Sequence, residues 1–591
     1  MSAFASALLA RARGLGLLGP LLLLALVPVV TQNPYVLSVW TFIAINLIVV
    51  VGLDLLLGYC GQLSLGHGVF VSLGAYTSAL LTTRAGWSGW AAIPVGMALA
   101  GATALLVGIP TMRLRGYYLA MATLGFPVVL DAFVRQWSGF TGGSSGVVAV
   151  PRLRVAGFAL KDHVPYYLFV LAVFAVVLLA AARIARSRWG LSLRAVHRDE
   201  TAAEARGIHV HRTKVIAFAA SAVLAGLSGS LYVHYVQFVA PDTFGILFSI
   251  MLVIMVVVGG AGRLWGAMLG TVVLMWLPEA LRATSTWEPI AFGAVLAVVM
   301  LFAPSGLAGL RRRAPSVAAS PALRDRAARL RPEPAPVSPL RGLASRPPLL
   351  AVRDLTKRFG GVRALSGLGL ELGRGAIKAI IGPNGAGKST ALALIAGAVR
   401  ADRGRIDLDG VPVERLPAYA RARLGIGRTF QHTRLIGELT VLENVLVGVT
   451  ARRGRHGKPA DAEASAWDVV ERVGLAAAAD RLPGEVNQYQ MRLTEIAMAL
   501  AGDPRVLLLD EPGAGLSRVE VDQLAALLRA ERQRGRSILL VDHVMQLVLA
   551  LADDILVLEN GAAIAEGPPD AILRDHRVTS AYLGTRKDRH A

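Results

Sequence analysis

Nine consecutive residues have the types and spacing that chemistry on a phosphate group requires. They match the pattern G-x-x-x-x-G-K-[ST], in which glycines let backbone N–H groups turn toward phosphate oxygens. The lysine reaches the outer phosphates of a nucleotide, and the hydroxyl after it can ligate Mg²⁺. The pattern therefore predicts binding of ATP and Mg²⁺ by Gly382, Pro383, Asn384, Gly385, Ala386, Gly387, Lys388, Ser389 and Thr390.

The residues on either side of this loop predict the elements that hold it. An apolar run, Ile377 to Ile381, precedes the loop and predicts a buried strand, whereas the Ala-, Leu- and Ile-rich residues after it predict a helix. A helix N-terminus favours bound anions because its backbone N–H groups point outward. We therefore expect a strand, the phosphate loop and a helix in that order.

A second buried strand is predicted at Val506 to Leu509, and it ends in two carboxylates, Asp510 and Glu511. An aspartate at this place can hold the Mg²⁺ shell, together with Ser389, and the following glutamate can polarise an attacking water. The alternative is a core strand with ordinary acidic residues at its end. Because a phosphate loop lies upstream, we favour Glu511 as a catalytic residue and Asp510 as a metal ligand.

Composition points to a membrane protein of more than one domain. The chain has 591 residues, of which 54% are hydrophobic, and a formal net charge of +21. Its basic clusters at 183–214 and 311–348 border apolar stretches, so cytoplasmic loops explain the charge better than nucleic acid does. No basic-aromatic motif for nucleic acid accompanies them. Cys60 is the single cysteine, which excludes an intrachain disulfide.

Ten apolar stretches before residue 305 have about the length of a bilayer crossing, roughly 17–25 residues. With ten crossings, the basic residues Arg113, Arg115 and those of 183–214 fall inside and the loop 138–162 falls outside. Because some stretches contain Gly and polar residues, we expect eight to ten true spans. The stretches are 15–31, 36–57, 65–83, 89–110, 117–134, 163–182, 215–239, 244–260, 264–280 and 286–303.

The pattern along the chain predicts three parts. Residues 1–310 form a transmembrane domain, and residues 311–348, rich in Pro and Arg, form a semi-rigid, partly extended linker without helical or strand period. Residues 349–591 alternate short strands with amphipathic helices, which is typical of a soluble α/β domain. The predicted fold class is thus a polytopic α-helical membrane domain followed by a cytoplasmic α/β P-loop domain.

Residues 350–580 resemble the ATPase subunits of ABC transporters. Besides the phosphate loop and the Asp510-Glu511 pair, three residues carry the resemblance: Phe359, Gln431 and His543. The resemblance implies that Phe359 stacks on adenine, that Gln431 meets Mg²⁺ and the membrane domain, and that His543 is a catalytic switch contacting the γ-phosphate. Taken singly, each could be an ordinary core or surface residue.

One stretch departs from that family. Where the family has an L-S-G-G-Q-like signature, this chain has Val486 followed by Asn487, Gln488, Tyr489 and Gln490. Asn487 replaces a serine that binds the γ-phosphate, and Tyr489 replaces a glycine that permits close approach. Ser517 likewise replaces an acidic or amide residue. In the family each signature serves the opposite subunit's phosphate loop, so we expect an asymmetric pair; a tolerated variant is the alternative.

The membrane part resembles the permeases for branched-chain amino acid uptake over residues 30–305. The resemblance rests on 58–68, on 114–118 with 141–144, and on 257–260 with 264–266. Within it, 194–207 matches the cytoplasmic coupling segment, which implies docking on the ATPase near Gln431. The clustered glycines of 58–68 predict close helix packing or a broken helix.

Three acids lie in or near apolar runs and are candidates for a substrate role or for helix ends in water: Asp54, Asp131 and Glu279. No sequence pattern distinguishes the two alternatives for any of them. They are therefore weaker candidates than the phosphate loop, which has both a motif and a matching context.

The two resemblances together imply a permease-ATPase fusion subunit of a bacterial ABC importer, in which ATP hydrolysis drives uptake of branched-chain or related amino acids. The implied partners are a second permease, a second ATPase, a soluble binding protein and membrane lipid, with no nucleic acid. The implied location is the cytoplasmic (inner) membrane. Urea, short amides or aromatic acids as cargo, an ABC exporter half-transporter and a membrane-anchored regulatory ATPase stay open as alternatives.

Overall fold

The computed structural model divides the chain into two compact units. One comprises Met1–His197 with His211–Arg313, and the other comprises Arg198–Val210 with Ala314–Ala591. A short piece of the membrane half of the sequence therefore belongs to the second unit. The structure describes residues 19–114, 116–155, 158–160, 162–280, 288–303, 306–310, 320–330, 347–453 and 459–578.

The first unit is built from helices, because its apolar sequence satisfies backbone hydrogen bonds within each helix. A two-stranded hairpin, β1 (Arg154–Val155) and β2 (Phe158–Ala159), lies in the loop predicted to face outward. Apart from the single turn Ser138–Thr141, the described α-helices up to residue 302 are α1 (Gly19–Val30), α2 (Pro34–Asp54), α3 (His67–Thr83), α4 (Gly89–Thr111), α5 (Tyr117–Gln136), α6 (His163–Arg186), α7 (Arg188–Arg198), α8 (Glu200–Ala205, in the second unit), α9 (Val210–Val236), α10 (Ile246–Gly259), α11 (Leu264–Ala280) and α12 (Glu288–Phe302).

Helices lie at nearly all of the predicted membrane stretches, but fewer reach full span length. Helices α3, α11 and α12 have 17, 17 and 15 residues, at or below the lower bound of about 17 for a crossing. Among the described residues, six helices meet both length and composition for a crossing, and further crossings up to the expected eight to ten stay a prediction. In the described part of the chain the six are Pro34–Tyr59, Gly89–Thr111, Tyr117–Gln136, His163–Arg186, Val210–Val236 and Pro241–Gly259.

The glycine-rich stretch 58–68 interrupts the helical structure. Helix α2 passes into a π-helical turn, Leu55–Tyr59, and the chain becomes helical again only at His67. Packing is also close there, since a Cβ on Gly66 would lie 2.4 Å from the carbonyl oxygen of Thr123. Both features expected of these glycines, a broken helix and close packing, are therefore present.

The second unit contains two sheets. The first is six-stranded in the order β12-β11-β5-β10-β9-β8, parallel except for the edge strand β12, and the second is antiparallel in the order β4-β3-β6-β7. The strands are β3 (Leu350–Phe359), β4 (Val362–Leu372), β5 (Ile377–Ile381), β6 (Arg403–Leu408), β7 (Val411–Pro412), β8 (Ile426–Arg428), β9 (Val506–Asp510), β10 (Ser537–Val541), β11 (Asp554–Glu559) and β12 (Ala562–Gly567).

The central strands are buried along their whole length, as expected for a parallel sheet covered on both faces. All residues of β5, β9 and β10 are buried. The carboxyl ends of these strands lead into the candidate site. The accompanying helices are α13 (Pro321–Leu330), α14 (Lys388–Ala396), α15 (Ala418–Arg423), α16 (Val441–Arg453), α17 (Pro459–Arg472), α18 (Gln488–Ala501), α19 (Arg518–Gln533), α20 (Met545–Leu551) and α21 (Pro569–Arg574).

Helix α13 contradicts the expectation of a linker without helical structure. It lies inside 311–348 and packs on α17, with Leu323 and Ala327 buried. The Arg324 guanidinium lies 5.0 Å from the centre of the Trp467 ring, and Arg326 pairs with Asp461 at 2.7 Å. The expectation fails because one leucine and one alanine suffice to dock a ten-residue helix. The rest of the linker, apart from 320 and 347–348, lies outside the described residues.

Candidate functional site

The predicted phosphate loop lies between β5 and α14, as the sequence indicates. Gly387 has φ +97°, and a Cβ there would lie 2.5 Å from the carbonyl oxygen of Ala364, so only glycine fits. Helix α14 begins at Lys388, and the N–H groups of its first turn have no acceptor within the helix. The loop therefore presents donors at the positive end of a helix, which is the chemistry that binds phosphate.

Lys388 folds back over the loop. Its Nζ donates to the carbonyl oxygens of Gly382 at 2.7 Å and Pro383 at 2.8 Å. Burial lowers the pKa of Lys388, and the carboxylates of Glu511 and Asp510 partly offset this. The ammonium is thus held inside the loop, beside the two acids predicted to be functional.

Asp510, at the end of β9, lies beside the hydroxyl that follows Lys388. Ser389 Oγ donates to Asp510 Oδ1 at 3.2 Å, and Arg428 Nη2 lies 3.5 Å from Asp510 Oδ2. Burial raises the pKa of Asp510, and Arg428 acts in the opposite direction. A hydroxyl and a carboxylate so placed are suitable ligands for Mg²⁺. Arg428 was not singled out from the sequence, where nothing links it to Asp510.

Glu511, Gln431 and His543 converge, although 112 residues separate Gln431 from His543 in the sequence. Gln431 Nε2 donates to Glu511 Oε2 at 3.2 Å, and His543 Nδ1 lies 3.8 Å from the same oxygen. Glu511 has φ +46°, which is uncommon outside glycine and occurs often at active sites. The geometry can present one carboxylate oxygen to a water, with an amide and an imidazole beside it.

The residue after β10 holds the loop that carries His543. Asp542 Oδ1 accepts hydrogen bonds from the backbone N–H groups of His543 and Val544, and Oδ2 accepts one from Gly513 N at 2.7 Å. Burial raises the pKa of Asp542 despite these donors. Asp542 therefore ties the His543 loop to the turn after Glu511.

Phe359 ends β3 and keeps much of its ring exposed, at 49%. Lys357 Nζ lies 5.4 Å from the centre of the ring. An exposed aromatic ring can stack on a base, which is the role that the resemblance implies for this residue.

The residues fit a nucleotide-bound Mg²⁺ better than a metal held by protein alone. Over the described ranges, no group of three or more His, Cys, Asp and Glu side chains could hold a metal ion. The candidate ligands are instead one hydroxyl, one carboxylate and one amide: Ser389, Asp510 and Gln431. Mg²⁺ is usually bound through one or two carboxylates plus substrate phosphates, so this sparse set agrees with its predicted role.

The altered signature stretch forms the start of helix α18. Asn487 Oδ1 accepts from Gln490 N at 2.8 Å, and Gln490 Oε1 accepts from Asn487 N at 3.2 Å, so the two residues cap the helix reciprocally. Tyr489, in the first turn, is partly buried, and burial raises its pKa, with Glu520 adding to the shift. Ser517 similarly caps α19 with Glu520. Asn487 and Ser517 thus both have structural roles as caps.

Helix α18 also holds the backbone that leads to Gln431, a relationship that the sequence did not predict. Arg492 Nη1 donates to the carbonyl oxygen of Phe430 at 3.0 Å, and its Nη2 donates to that of Gln431 at 3.2 Å. Glu495 Oε1 accepts from the N–H of Phe430 at 3.1 Å. Burial raises the pKa of Glu495, while Arg492 and Arg206 lower it.

The part of the predicted coupling segment 194–207 that lies in the second unit, together with the residues up to 210, packs on Phe430 and Arg434, as the resemblance implies. Ala202 and Ala205 of α8 form a buried cluster with Phe430. Asp199 caps α8 through Ala202 N and forms an ion pair with Arg434. The carbon centre of the Arg434 guanidinium lies 4.6 Å from the centre of the Phe430 ring.

Two further contacts extend the same surface. Arg206 Nη2 donates to the carbonyl oxygen of Arg434 at 3.0 Å, and Arg423 Nε donates to that of Gly207 at 3.0 Å. Burial lowers the pKa of Arg206 to about 10, still well above neutrality, so the side chain stays charged. The segment is therefore held to the rest of the second unit by charged and backbone hydrogen bonds as well as by apolar packing.

The three acids of the membrane part are each held by a neighbouring group. Asp54 is fully buried, and its Oδ1 accepts from Gly262 N at 2.7 Å. Asp131 pairs with Arg135 at 2.9 Å, and Glu279 accepts a hydrogen bond from the Tyr35 hydroxyl. These contacts give each acid a structural partner, and a substrate role for any of the three stays a prediction.

The first unit consists of apolar helices. The second unit contains a phosphate loop, a carboxylate pair at a strand end and the docked part of the coupling segment. Together these features define an ABC transporter subunit. Three family models match the chain: the branched-chain amino acid transport system / permease component at residues 35–304, the ABC transporter at 365–514, and the branched-chain amino acid ATP-binding cassette transporter at 564–588. The chain belongs to the branched-chain amino acid family of ABC transporters, and it joins that family's permease and ATP-binding components in one polypeptide.

Individual relatives match one component each. The high-affinity branched-chain amino acid transport ATP-binding protein BraF of Pseudomonas aeruginosa is 38% identical over 40% of this chain and 98% of its own length. The permease protein LivM of Escherichia coli is 30% identical over 49% of this chain and 75% of its own length. The ADP conformation of MJ1267, a solved ATP-binding cassette, is 30% identical over 41% of this chain and all of its own, with a TM-score of 0.37.

Proposed function

We propose that this chain is one fused half of a bacterial importer that uses ATP hydrolysis to take up branched-chain or related amino acids. The observation that carries the proposal concerns the coupling segment: from residue 198 onward it packs on Phe430, next to Gln431, although it comes from the permease-like half of the sequence. Such a contact has a function only if ATP hydrolysis and the movement of the membrane helices are coupled in one transporter. Membership of the permease and ATPase components in the same family supports the amino-acid cargo.

The proposed ATPase chemistry assigns a role to each converging side chain. Lys388 would leave the carbonyls of its own loop for the phosphates, to which the N–H groups at the start of α14 also donate. Mg²⁺, when bound, neutralises phosphate charge, and Ser389, Asp510 and Gln431 would hold it. Glu511 would accept the proton of the attacking water.

His543 would contact the γ-phosphate from the loop held by Asp542, and Phe359 would stack on the base. In this proposal Gln431 has two neighbours of different kinds: its side chain reaches Glu511, and its backbone carbonyl is held by Arg492 of helix α18. A movement of the coupling segment against Phe430 would therefore change the position of a group beside the catalytic carboxylate.

The proposed division of labour along the chain is a permease domain at 1–310, a linker at 311–348 and an ATPase domain at 349–591. The proposed assembly contains a second permease, a second ATPase and a binding protein that delivers solute, in the cytoplasmic membrane. The altered signature 486–490 further suggests that the two ATP sites differ. Fusion raises the effective concentration of this ATPase at its own permease.

Uptake by the reconstituted complex tests the proposal. The complex of this chain with its partner subunits, in vesicles, is given labelled leucine, urea, a short amide or an aromatic acid, each with candidate binding proteins. We expect ATP-dependent accumulation of the branched-chain amino acid, abolished by Glu511→Gln, which leaves nucleotide binding in place. If only another solute accumulates, the proposed cargo is wrong. If solute moves in the opposite direction, the proposed import is wrong.

A further inference from the structure

The π-helical turn at Leu55–Tyr59 contacts helix α7, whose last residues belong to the predicted coupling segment 194–207. His197 Nδ1 lies 3.0 Å from the carbonyl oxygen of Gly58. Because a carbonyl can only accept, Nδ1 carries the proton in this contact. The ring also lies against the next glycine, since a Cβ on Gly61 would be 2.5 Å from His197 Cδ2. Arg194, on the same helix α7, places its guanidinium 5.0 Å from the centre of the Tyr59 ring.

The Gly58 carbonyl is available for this contact because the helix ends there. The last carbonyls of a helix lack donors within it. Leu56 and Leu57 find theirs in the backbone N–H groups of Gln62 and Gly61, at 3.0 Å each. Gly58 has no such local donor among the described backbone bonds, and the imidazole supplies one.

The opposite side of the turn is packed just as closely. A Cβ on Gly58 would lie 2.0 Å from Gly262 N, and Asp54 Oδ1 accepts the hydrogen of that same N–H. The turn therefore lies between α7 on one side and the loop that joins α10 to α11 on the other. π-Helical turns are rare and occur frequently at functional sites.

His197 lies within the predicted coupling segment 194–207, directly before the part of it that belongs to the second unit and packs on Phe430. Two residues later, Asp199 forms the ion pair with Arg434. A displacement of the segment would reach His197 through two peptide bonds, and from His197 it would reach Gly58 through one hydrogen bond. Helix α7 can transmit this displacement as a rigid body, because its apolar side, with Leu191, Leu193 and Val196, is buried.

Given the proposed transport function, we propose that His197 is a positioning residue for transport: its hydrogen bond to Gly58 carries movement of the coupling segment into the interrupted membrane helix, with the π-helical turn as the first part to respond. The residue touches neither nucleotide nor solute. Its loss should separate ATP hydrolysis from transport, whereas loss of a residue at the ATP site should abolish both.

The test compares three replacements of His197 in the full complex. His197→Ala removes the donor. His197→Asn keeps an N–H donor at the same distance along the side chain as Nδ1, and His197→Gln places it one bond too far. Arg198→Ala, at an exposed neighbouring position, is the matched control. We expect solute transported per ATP to fall about three- to tenfold in the Ala and Gln variants, the factor for loss of one hydrogen bond, and to recover with Asn.

A second readout does not depend on the cargo. Hydrogen exchange of amides 55–66 is measured with and without ATP; the nucleotide-dependent change should be present in wild type and His197→Asn and absent in His197→Ala. If His197→Ala impairs assembly of the complex, His197→Asn is compared with His197→Gln instead. The inference is overturned if His197→Asn and His197→Ala transport the same amount of solute per ATP. It is also overturned if His197→Ala keeps the nucleotide-dependent change in hydrogen exchange. Failure of wild-type uptake with the exchange pattern retained overturns the transport proposal alone.

Discussion

Glu495 accepts a hydrogen bond from the backbone N–H of Phe430 at 3.1 Å, so the helix that carries the altered signature is tied to the loop that carries Gln431. Arg492, on the same helix, donates a hydrogen bond to the carbonyl oxygen of Phe430, so both backbone polar groups of Phe430 are bound by this helix. The coupling segment contacts the same phenylalanine from its own side. One residue thus joins three parts that must move together in the proposed cycle: signature helix, Gln431 and coupling segment.

Replacing the Glu495 carboxylate by an amide should weaken this junction. Glu495→Gln keeps an oxygen for the Phe430 N–H but leaves the buried Arg492 without its counter-charge. We expect the stability of the ATP-binding unit to fall by about 3 kcal/mol, the order seen when one member of a buried ion pair is removed. Thermal unfolding of the purified complex measures this. Glu438→Gln, at an exposed position, serves as comparison, and a melting temperature equal to wild type in Glu495→Gln would contradict the prediction.

The ion pair between Asp199 and Arg434 should affect coupling rather than hydrolysis. Asp199→Asn keeps the cap on Ala202 N, because asparagine caps helices as well as aspartate does, and it removes only the charge. Arg434→Gln removes the other charge. For a partly exposed pair worth up to about 1 kcal/mol, each single change should lower transport per ATP by up to about fivefold.

The double variant decides whether the two side chains act together. If they do, the double change should be no worse than the more damaging single one, because the interaction is already lost. Transport and ATP hydrolysis are measured on the same vesicles, with Arg198→Ala as the neighbouring control. Effects that simply add would show that the pair is incidental.

The sequence predicted the parts of the site that are local in the chain. The phosphate loop, its strand and helix, and the Asp510-Glu511 strand end each lie within a few residues, and their spacing reflects their geometry. The contacts of Arg492 with Phe430 and of Asp199 with Arg434 were not predictable in the same way. They join residues 62 and 235 positions apart, and the side chains involved are ordinary arginines and acids until the fold brings them together.

The linker helix α13 was missed for a different reason. A Pro- and Arg-rich composition is typical of an extended tether, and the buried stripe of α13 consists of only Leu323 and Ala327. Its docking depends on a complementary surface on α17, with Trp467 and Asp461, that no local pattern in the linker encodes. Residue roles within the site, by contrast, stay predictions, because geometry alone does not test them.

Helix α13 should detach when a charge is placed in its buried stripe. Leu323→Asp would put a carboxylate against α17, and burying an unpaired charge is costly enough that local undocking is the cheaper outcome. We expect faster hydrogen exchange over 321–330 in the full-length complex, with the phosphate loop unaffected. Ala322→Asp introduces the same group one residue away at an exposed position and should leave exchange unchanged. Equal exchange in both variants would show that the helix is not docked in solution.

Restoring the family's signature should speed the site that this chain completes for its partner. Asn487→Ser keeps a helix cap, since both residues cap well, and Tyr489→Gly removes the ring that blocks close approach. A single phosphate-directed donor can be worth about 100-fold at one site. If one of two sites is slow at the outset, ATPase activity of the assembled complex should rise about twofold, because the intact site already contributes its share.

The matched control is Asn487→Ser alone, which leaves the tyrosine in place and should give a smaller gain. Turnover of the complex and single-turnover hydrolysis at each site are measured together, so that a change in assembly is not mistaken for a change in rate. Tyr489→Gly lowers the helix propensity of the first turn by about 0.5 kcal/mol, and the yield of complex reports that effect separately. Unchanged hydrolysis and uptake in the double variant would show that the altered signature is a tolerated substitution and that the two sites are equivalent.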